Sequence, residues 1–476
     1  MRKIFVLIAT AFICLIAHSQ DVESYFKKIR NNRASLTAFI QQMPKGGDLH
    51  HHYTGSVYAE TYIAFVVEED YYINTNTLQV LKNRQPGEEW KRFSRLKEDG
   101  MLPKFRQALM QKWSVKDYNQ VSYPSDKQFF ETFPAFGIAA DATLVEGLRE
   151  IKKRAISENV SYIETMFMSI PCPMTVNEPA YFNTRLRELG NLQDERATLA
   201  VLDSFYALLH SVKTITDCAV EFNTSTVERL HKNLGLDDEK FTIRYQAYVN
   251  RSKDPLILFK DLIVGFESVQ RSELMVGVNI VAPEDGEVSM NDYWLHMMMF
   301  KYCSSKYPGV KYSMHAGELT LGLVKPEELT WHINAAVRIA GAHRIGHGVD
   351  IAWEKDAYDL LRHMRSRSIP VEINLTSNEF ILKVKGESHP INIYREYKVP
   401  IIISTDDAGV LRSNLTEQYV LLINRYPDIS YLEMKKYIYN SIDFSFVKGK
   451  QLRERLRKDL DRRFTEFENK FKGDRQ

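Results

Sequence analysis

The chain has 476 residues, 44% hydrophobic and 26% charged, ample material for a large core and an ordinary balance for a globular enzyme. Its formal net charge of +2 gives no sign of a nucleic-acid or acidic-membrane partner, and blocks such as Lys152-Lys153-Arg154 read as solvated helix faces. The length admits one large α/β barrel with insertions, or two domains.

Arg2 and Lys3 precede an apolar run from Ile4 to Ala17, followed by Ala17-His18-Ser19. This is the pattern of a cleavable secretory signal, and the run is short for a spanning helix. Cleavage after Ser19 predicts a secreted or periplasmic protein with no membrane contact; a retained N-terminal anchor is the competing reading. Cys14 lies within the signal. Cys172, Cys218 and Cys303 allow at most one disulfide, and spacing does not choose the pair.

Residues 20–42 read as a helical lead-in, with Tyr25, Phe26, Ile29 and Leu36 on one face. Gly47-Asp48-Leu49-His50-His51-His52 reads as the first strand. Residues 60–125 are polar and read as an irregular insertion, either covering the mouth of a site or simply decorating the surface. A helix from Ser125 carries Phe129, Phe130, Phe133 and Phe136, read either as an apolar wall for a flat ring or as helix core. Seven further strand-like runs follow: Val160–Met166, Phe241–Val249, Met275–Val281, Val310–Met314, Arg344–Gly346, Pro370–Leu375 and Pro400–Ser404. Most are β-branched or aromatic, as buried parallel strands are. Helical patterns at Asp254–Gln270, Asn291–Lys306, Glu327–Ala340, Lys355–Arg367 and Asn414–Arg425 separate them. Eight strands, most followed by a helix, predict an α/β fold, a (β/α)8 barrel. The barrel spans 43–446, with insertions at about 60–125 and 183–240, the second holding an extra helix pair. A charged helix fills 447–476.

The runs end in Glu164, Arg251, Glu284, His315, His347, Asn374 and Asp406, which a barrel brings to one face. Alternation along a strand points His50 and His52 the same way and His51 the other. With His315 and Asp406 they make three imidazoles and a carboxylate, a set that suits one Zn²⁺ better than Mg²⁺ or Ca²⁺; iron or cobalt fits the same ligands. His347 is placed to hold or deprotonate a water. Glu318, three residues past His315, is placed to face substrate, and burial would suit it to donate a proton. Asp407 neighbours Asp406 and can share a hydrogen with a ring atom. Singly, these three also read as a core histidine, a helix N-terminal charge and a cap.

Four motifs, His50-His51-His52, His315-Ala316-Gly317-Glu318, Gly346-His347-Gly348 and Ser404-Thr405-Asp406-Asp407, resemble those of the adenosine deaminase family over roughly residues 43–446. With Met43-Pro44-Lys45-Gly46 and the signal, the chain is similar to the secreted, growth-factor-related (adenosine deaminase 2-like) branch, without that branch's long N-terminal dimerisation region; a homodimer is left open. The resemblance implies zinc on His50, His52, His315 and Asp406, protonation of purine N1 by Glu318, a water assisted by His347 and contact of Asp407 with N7. It implies a small-molecule purine nucleoside as substrate, with adenosine becoming inosine and ammonia. His52 would also border the substrate. Two positions depart from the family pattern. Thr54 stands where many members have Asp, near the ribose. Ala282 stands where a glycine offers its N–H to the purine, and its Cβ narrows the approach. Two alternatives remain: a deaminase of another aminopurine such as adenine or a modified nucleoside, and a secreted binding or signalling protein without turnover.

Overall fold

Eight strands run parallel in a single sheet that closes on itself. The computed structural model describes residues 21–119, 121, 123–174 and 179–471; the signal segment 1–19 lies outside them. The barrel strands are β1 (Gly47–His52), β5 (Tyr162–Met168), β6 (Thr242–Asn250), β7 (Met275–Val281), β8 (Lys311–Ala316), β9 (Arg344–His347), β10 (Val371–Ile373) and β11 (Ile401–Ile403), neighbours in that order. All eight expected runs are strands. Closure joins β11 to β1: Asp406 N–H donates to the His50 carbonyl at 2.8 Å, and His52 N–H donates to the Asp406 carbonyl at 3.1 Å. Asp48 adds to the seam by accepting from the Thr405 hydroxyl at 2.6 Å.

The strands are apolar because helices cover them outside while side chains fill the interior. Helix Pro255–Arg271 is buried nearly all round, since it lies between the sheet and a second helical layer. That layer is the later insertion. It holds helices Pro179–Leu192 and Glu195–Leu209 and a continuous helix made of Thr214–Glu221, the π-helical Phe222–Glu228 and Arg229–Asn233, three helices where a single crossover needs one. A Cys172–Cys218 disulfide ties it to the segment after β5, and Cys303 is free and buried.

The first insertion corrects the sequence reading, because it is folded. It contains helices Ala59–Glu68, Phe93–Glu98 and Leu102–Lys112 and an antiparallel sheet of β2 (Tyr72–Asn74), β3 (Val80–Leu81) and β4 (Trp90–Arg92). Ile63, Val66, Ile73, Phe93, Leu96 and Leu109 give it apolar contacts in the main core. Tyr62 stacks on Phe136 at 5.1 Å, so the insertion packs against the helix Ser125–Ala140.

The lead-in is helical, with Arg33–Gln42 capped by the Asn32 side chain. The charged tail helix, Lys450–Glu468, buries Leu456, Leu460, Phe464 and Phe467 on one face, and Phe467 meets Phe39 edge-on at 5.0 Å. Among the described residues no helix is long and apolar enough to cross a membrane.

Candidate active site

β1, β8, β9 and the turn after β11 deliver side chains to one point at the C-terminal rim. His315 Nε2 lies 3.1 Å from Nε2 of His50 and 3.1 Å from Nε2 of His52. Asp406 Oδ1 lies 3.4 Å from the first and 3.1 Å from the second. His51 points away, with its Nδ1 3.0 Å from the Thr165 hydroxyl. Glycine at 346 permits the arrangement, since a Cβ there would lie 2.6 Å from His50 Cε1.

The partners of these rings decide what they present. His50 Nδ1 is 2.7 Å from Glu372 Oε2, and His315 Nδ1 is 3.0 Å from the Asn279 amide oxygen. Burial alone would raise Glu372, but the Arg344 charge and the His50 contact outweigh it and hold the carboxyl below its usual range. An ionised carboxylate and an amide oxygen only accept, so both rings donate from Nδ1. With both rings neutral the Nε2 lone pairs would face each other at 3.1 Å; burial lowers His50, but the hydrogen bonds and charges of Asp406 and Glu372 outweigh it and raise the ring to about 10, so it holds a proton there when no metal is bound. Facing lone pairs repel unless a cation lies between, and a partner on the far nitrogen is the usual support of a metal-bound histidine. The donor set fits zinc.

His347 is held differently. Its Nδ1 is 2.9 Å from the Asn378 amide nitrogen, and His389 Nε2 engages the oxygen of that amide at 3.1 Å. The ring therefore accepts at Nδ1 and carries its hydrogen on Nε2, a buried atom with no hydrogen-bond partner lying 3.8 Å from Asp406 Oδ2. Burial pushes the ring down to about 3, so it is neutral. Proximity alone groups His347 with His50, His315 and Asp406, but this tautomer offers a donor where the others offer lone pairs.

Glu318 is aimed by Glu284. The Glu284 carboxylate accepts from Gly317 N–H at 3.1 Å and from Glu318 N–H at 2.8 Å, and it contacts His332 Nδ1 at 2.7 Å. Burial would raise Glu284, yet the His332 hydrogen bond and the Arg251 charge leave it lowered and ionised. Arg251 also donates to the His315 carbonyl at 2.6 Å. Glu318 moves the opposite way: burial, then the charges of Asp406 and Glu284, push it well above the usual carboxyl range. Its Oε1 is 3.5 Å from His347 Nδ1. Asp407 is likewise raised by burial and by Asp406. Its Oδ1 has no hydrogen-bond partner, and it packs where a Cβ on Gly55 would lie 1.7 Å away.

These groups open on a cavity of about 430 Å³ lined also by Thr54, Ala282, Phe129, Phe130 and Phe133. The aromatic helix thus serves both readings: three phenylalanines reach the cavity, while Phe136 packs in the core. Ala282 has φ +84°, His347 +67° and Asp406 +63°, a left-handed region uncommon for non-glycine residues.

Glu164 does not reach this face. It is the third residue of β5, and its carboxylate lies 2.8 Å from Arg344 Nη1 inside the barrel. Tyr248, Asn250 and Ser252 also line the cavity and were not anticipated; the end of β6 was their signal, but alternation takes Arg251 into the wall and its neighbours to the cavity. Glu372, Asn279 and Asn378 carried no motif.

The family model for adenosine deaminase matches residues 224–462. An adenosine deaminase of Clostridium kluyveri is 31% identical over 264 residues, covering 53% of this chain and 69% of that protein. One from Clostridium perfringens is 26% identical over 261 residues, with 53% and 69% covered. Among solved structures, the N6-methyl-AMP deaminase of Arabidopsis thaliana superposes with a TM-score of 0.56 at 18% identity, over 90% of this chain and 99% of that one. An amidohydrolase from Burkhoderia ambifaria with bound Zn gives 0.53 at 15%, over 92% and 95%. At such identities the likeness is one of fold.

Proposed function

We propose that this chain, which belongs to the adenosine deaminase family and is a hydrolytic deaminase, is a zinc enzyme converting adenosine, and 2′-deoxyadenosine close behind it, to inosine or deoxyinosine and ammonia. The cavity wall carries the choice of a nucleoside. Its ionisable groups, among the described residues, are imidazoles, the Tyr248 phenol and the carboxyls of Glu318, Asp406 and Asp407, with no lysine or arginine, surroundings that favour an uncharged purine over a phosphorylated one. Asn250, Ser252 and Thr54 supply polar atoms for a sugar, and Phe130 and Phe133 an apolar face for the ring.

His50, His52, His315 and Asp406 would hold the zinc. A bound zinc makes water acidic enough to act near neutral pH. His347 steadies the attacking water by donating from Nε2. Glu318, kept protonated by its burial, gives its proton to ring N1 as the water oxygen adds at C6. The C6–N bond then breaks; of the water's two protons, one leaves with the amino group as ammonia and the other restores the Glu318 acid, so adenosine and water give inosine and ammonia. Asp407, also protonated, donates to N7, and the Ala282 N–H approaches the ring edge. The complete set of these groups speaks against a binding protein without turnover.

An ultraviolet assay of the zinc-loaded protein with adenosine, 2′-deoxyadenosine, adenine and AMP tests the substrate. Adenosine should show the highest kcat/KM; a higher value for adenine or AMP would overturn the nucleoside assignment. The basic, apolar and small-residue sequence of 1–19 supports export with cleavage near Ser19. N-terminal sequencing of protein from the native source should then begin at or near Gln20, and a start that keeps Arg2 and Lys3 would refute it.

A further inference from the structure

The opposite end of the barrel carries a second, larger cavity, of about 930 Å³. Its wall includes Val276 at the start of β7, Lys311 at the start of β8, His343 just before β9 and Ile369 just before β10, so it lies at the N-terminal face, away from the rim that holds His315 and Asp406. Its charge is one-sided. Lys311, Arg367, Lys448 and Arg453 line it, together with His343 and His363. None of these four cations has a carboxylate within ion-pair distance among the described residues. Lys448 and Arg453 donate only to backbone carbonyls, those of Val269 and Ser272 and those of Ser445 and Val447. The one acid in the wall, Asp443, is engaged by Arg457, and a fifth cation, Arg338, pairs with Asp359 at 2.7 Å. Glu273 acts on Lys448 only from beyond pairing distance.

The field is felt by the groups themselves. Burial, then the Arg453 charge, lowers Lys311. Burial, then Lys311 and Arg344, lowers His343 to about 4. A chain with a net charge of only +2 has therefore gathered uncompensated cations into one concavity, which favours an anion there. The same wall offers Val276, Val337, Ile369 and Phe444 as an apolar surface. The volume falls in the range of small-molecule sites. A single concavity, as opposed to a basic stripe along the surface, suits a small ligand better than a nucleic acid.

We propose that this floor cavity binds a small organic phosphate monoester, its phosphate between Lys311, Arg367 and Arg453 and its organic body against the apolar wall. Arginine forks and lysine ammonium groups are the usual partners of such a head group.

Calorimetry with uridine 5′-monophosphate tests this, because that probe has no amino-purine to enter the catalytic cavity. Saturable binding of the nucleotide, but not of uridine, is expected. The double variant Lys311→Gln/Arg367→Gln should bind it at least tenfold more weakly while turning over adenosine as wild type does, which also shows that it folds. Inorganic phosphate should compete; equal affinity of phosphate and nucleotide would assign the site to the oxyanion alone and remove the organic body from the proposal. Saturating inosine should leave binding unchanged. No saturable binding, unchanged affinity in the double variant, or displacement by inosine would overturn the site.

Discussion

Asp406 meets His50 twice: its backbone N–H donates to the His50 carbonyl at 2.8 Å, and its Oδ1 lies 3.4 Å from His50 Nε2. One residue pair therefore closes the barrel and supplies two of the four proposed ligand atoms. A metal held by these side chains pins the seam between β11 and β1, which couples metal binding to stability. Ligand binding to the native state alone contributes about 4 kcal/mol at a thousandfold excess over Kd. Chelation should abolish turnover and lower the melting temperature, and added zinc should restore both. His50→Ala and Asp406→Ala should lose the metal while circular dichroism stays native-like. One equivalent of zinc retained in both variants would refute the ligand set.

The proton proposed for ring N1 belongs to Glu318, whose carboxyl is raised by burial and by Asp406 and Glu284. Glu318→Gln keeps the shape and one donor but has no transferable proton. General acid catalysis is worth ~10²–10⁴-fold, and kcat for adenosine should fall within or beyond that range. Inosine binding and zinc content should change little, since inosine carries a hydrogen on N1 and the amide oxygen of the variant can accept it. A variant retaining more than about a tenth of the wild-type rate, less than the usual loss of an acid, would remove Glu318 from the role.

Ala282 sits at φ +84°, where a side chain is strained by roughly 1–2 kcal/mol relative to glycine. Part of that is offset by the extra unfolded-state freedom of glycine, about 0.4–1 kcal/mol. Ala282→Gly should therefore raise the melting temperature slightly, on the order of 1 °C, where most cavity-wall truncations lower it. Removing the Cβ also widens the approach to the Ala282 N–H, so KM for adenosine should fall or hold. A lower melting temperature together with a higher KM would show that the methyl group packs usefully.

What could be read beforehand follows from how local each signal is. β7 is buried along its length and apolar but for Asn279 because both its faces are covered, and His50 and His52 share a face through the strand repeat alone. β2, β3 and β4 are two or three residues long, too short for any periodicity, so the first insertion looked irregular although its apolar residues are buried. Glu164 resembled a strand-end acid because its partner, Arg344, is 180 positions away in sequence and adjacent only once the barrel closes. Glu372 and Asn279 are single polar residues in apolar strands; only the closed barrel shows that they fix the hydrogen on His50 and His315. The phenylalanine helix could not be assigned to wall or core because it serves both, with Phe133 in the cavity and Phe136 against Tyr62.

Glu354 gives the fold a pH dependence of its own. It is 4% exposed, and its carboxylate accepts from the backbone N–H groups of Ile333 and Asn334 and from the Asn334 side chain at 2.8 Å. Those bonds favour the charged form, but burial outweighs them and raises the group from 4.5 to about 7. Between pH 4.5 and 7 the native state then holds a proton that the unfolded chain has lost. Unfolding releases protons in that window, so the contribution of Glu354 to stability is full below 4.5 and is lost as pH rises through 7. At 1.36 kcal/mol per unit the loss is a few kcal/mol. Glu354→Gln keeps the acceptor for the Ile333 N–H and removes the titration. Urea unfolding at pH 5 and pH 8 should show wild type losing more stability than the variant across the interval. Equal losses in the two proteins would mean that Glu354 titrates normally in the native state.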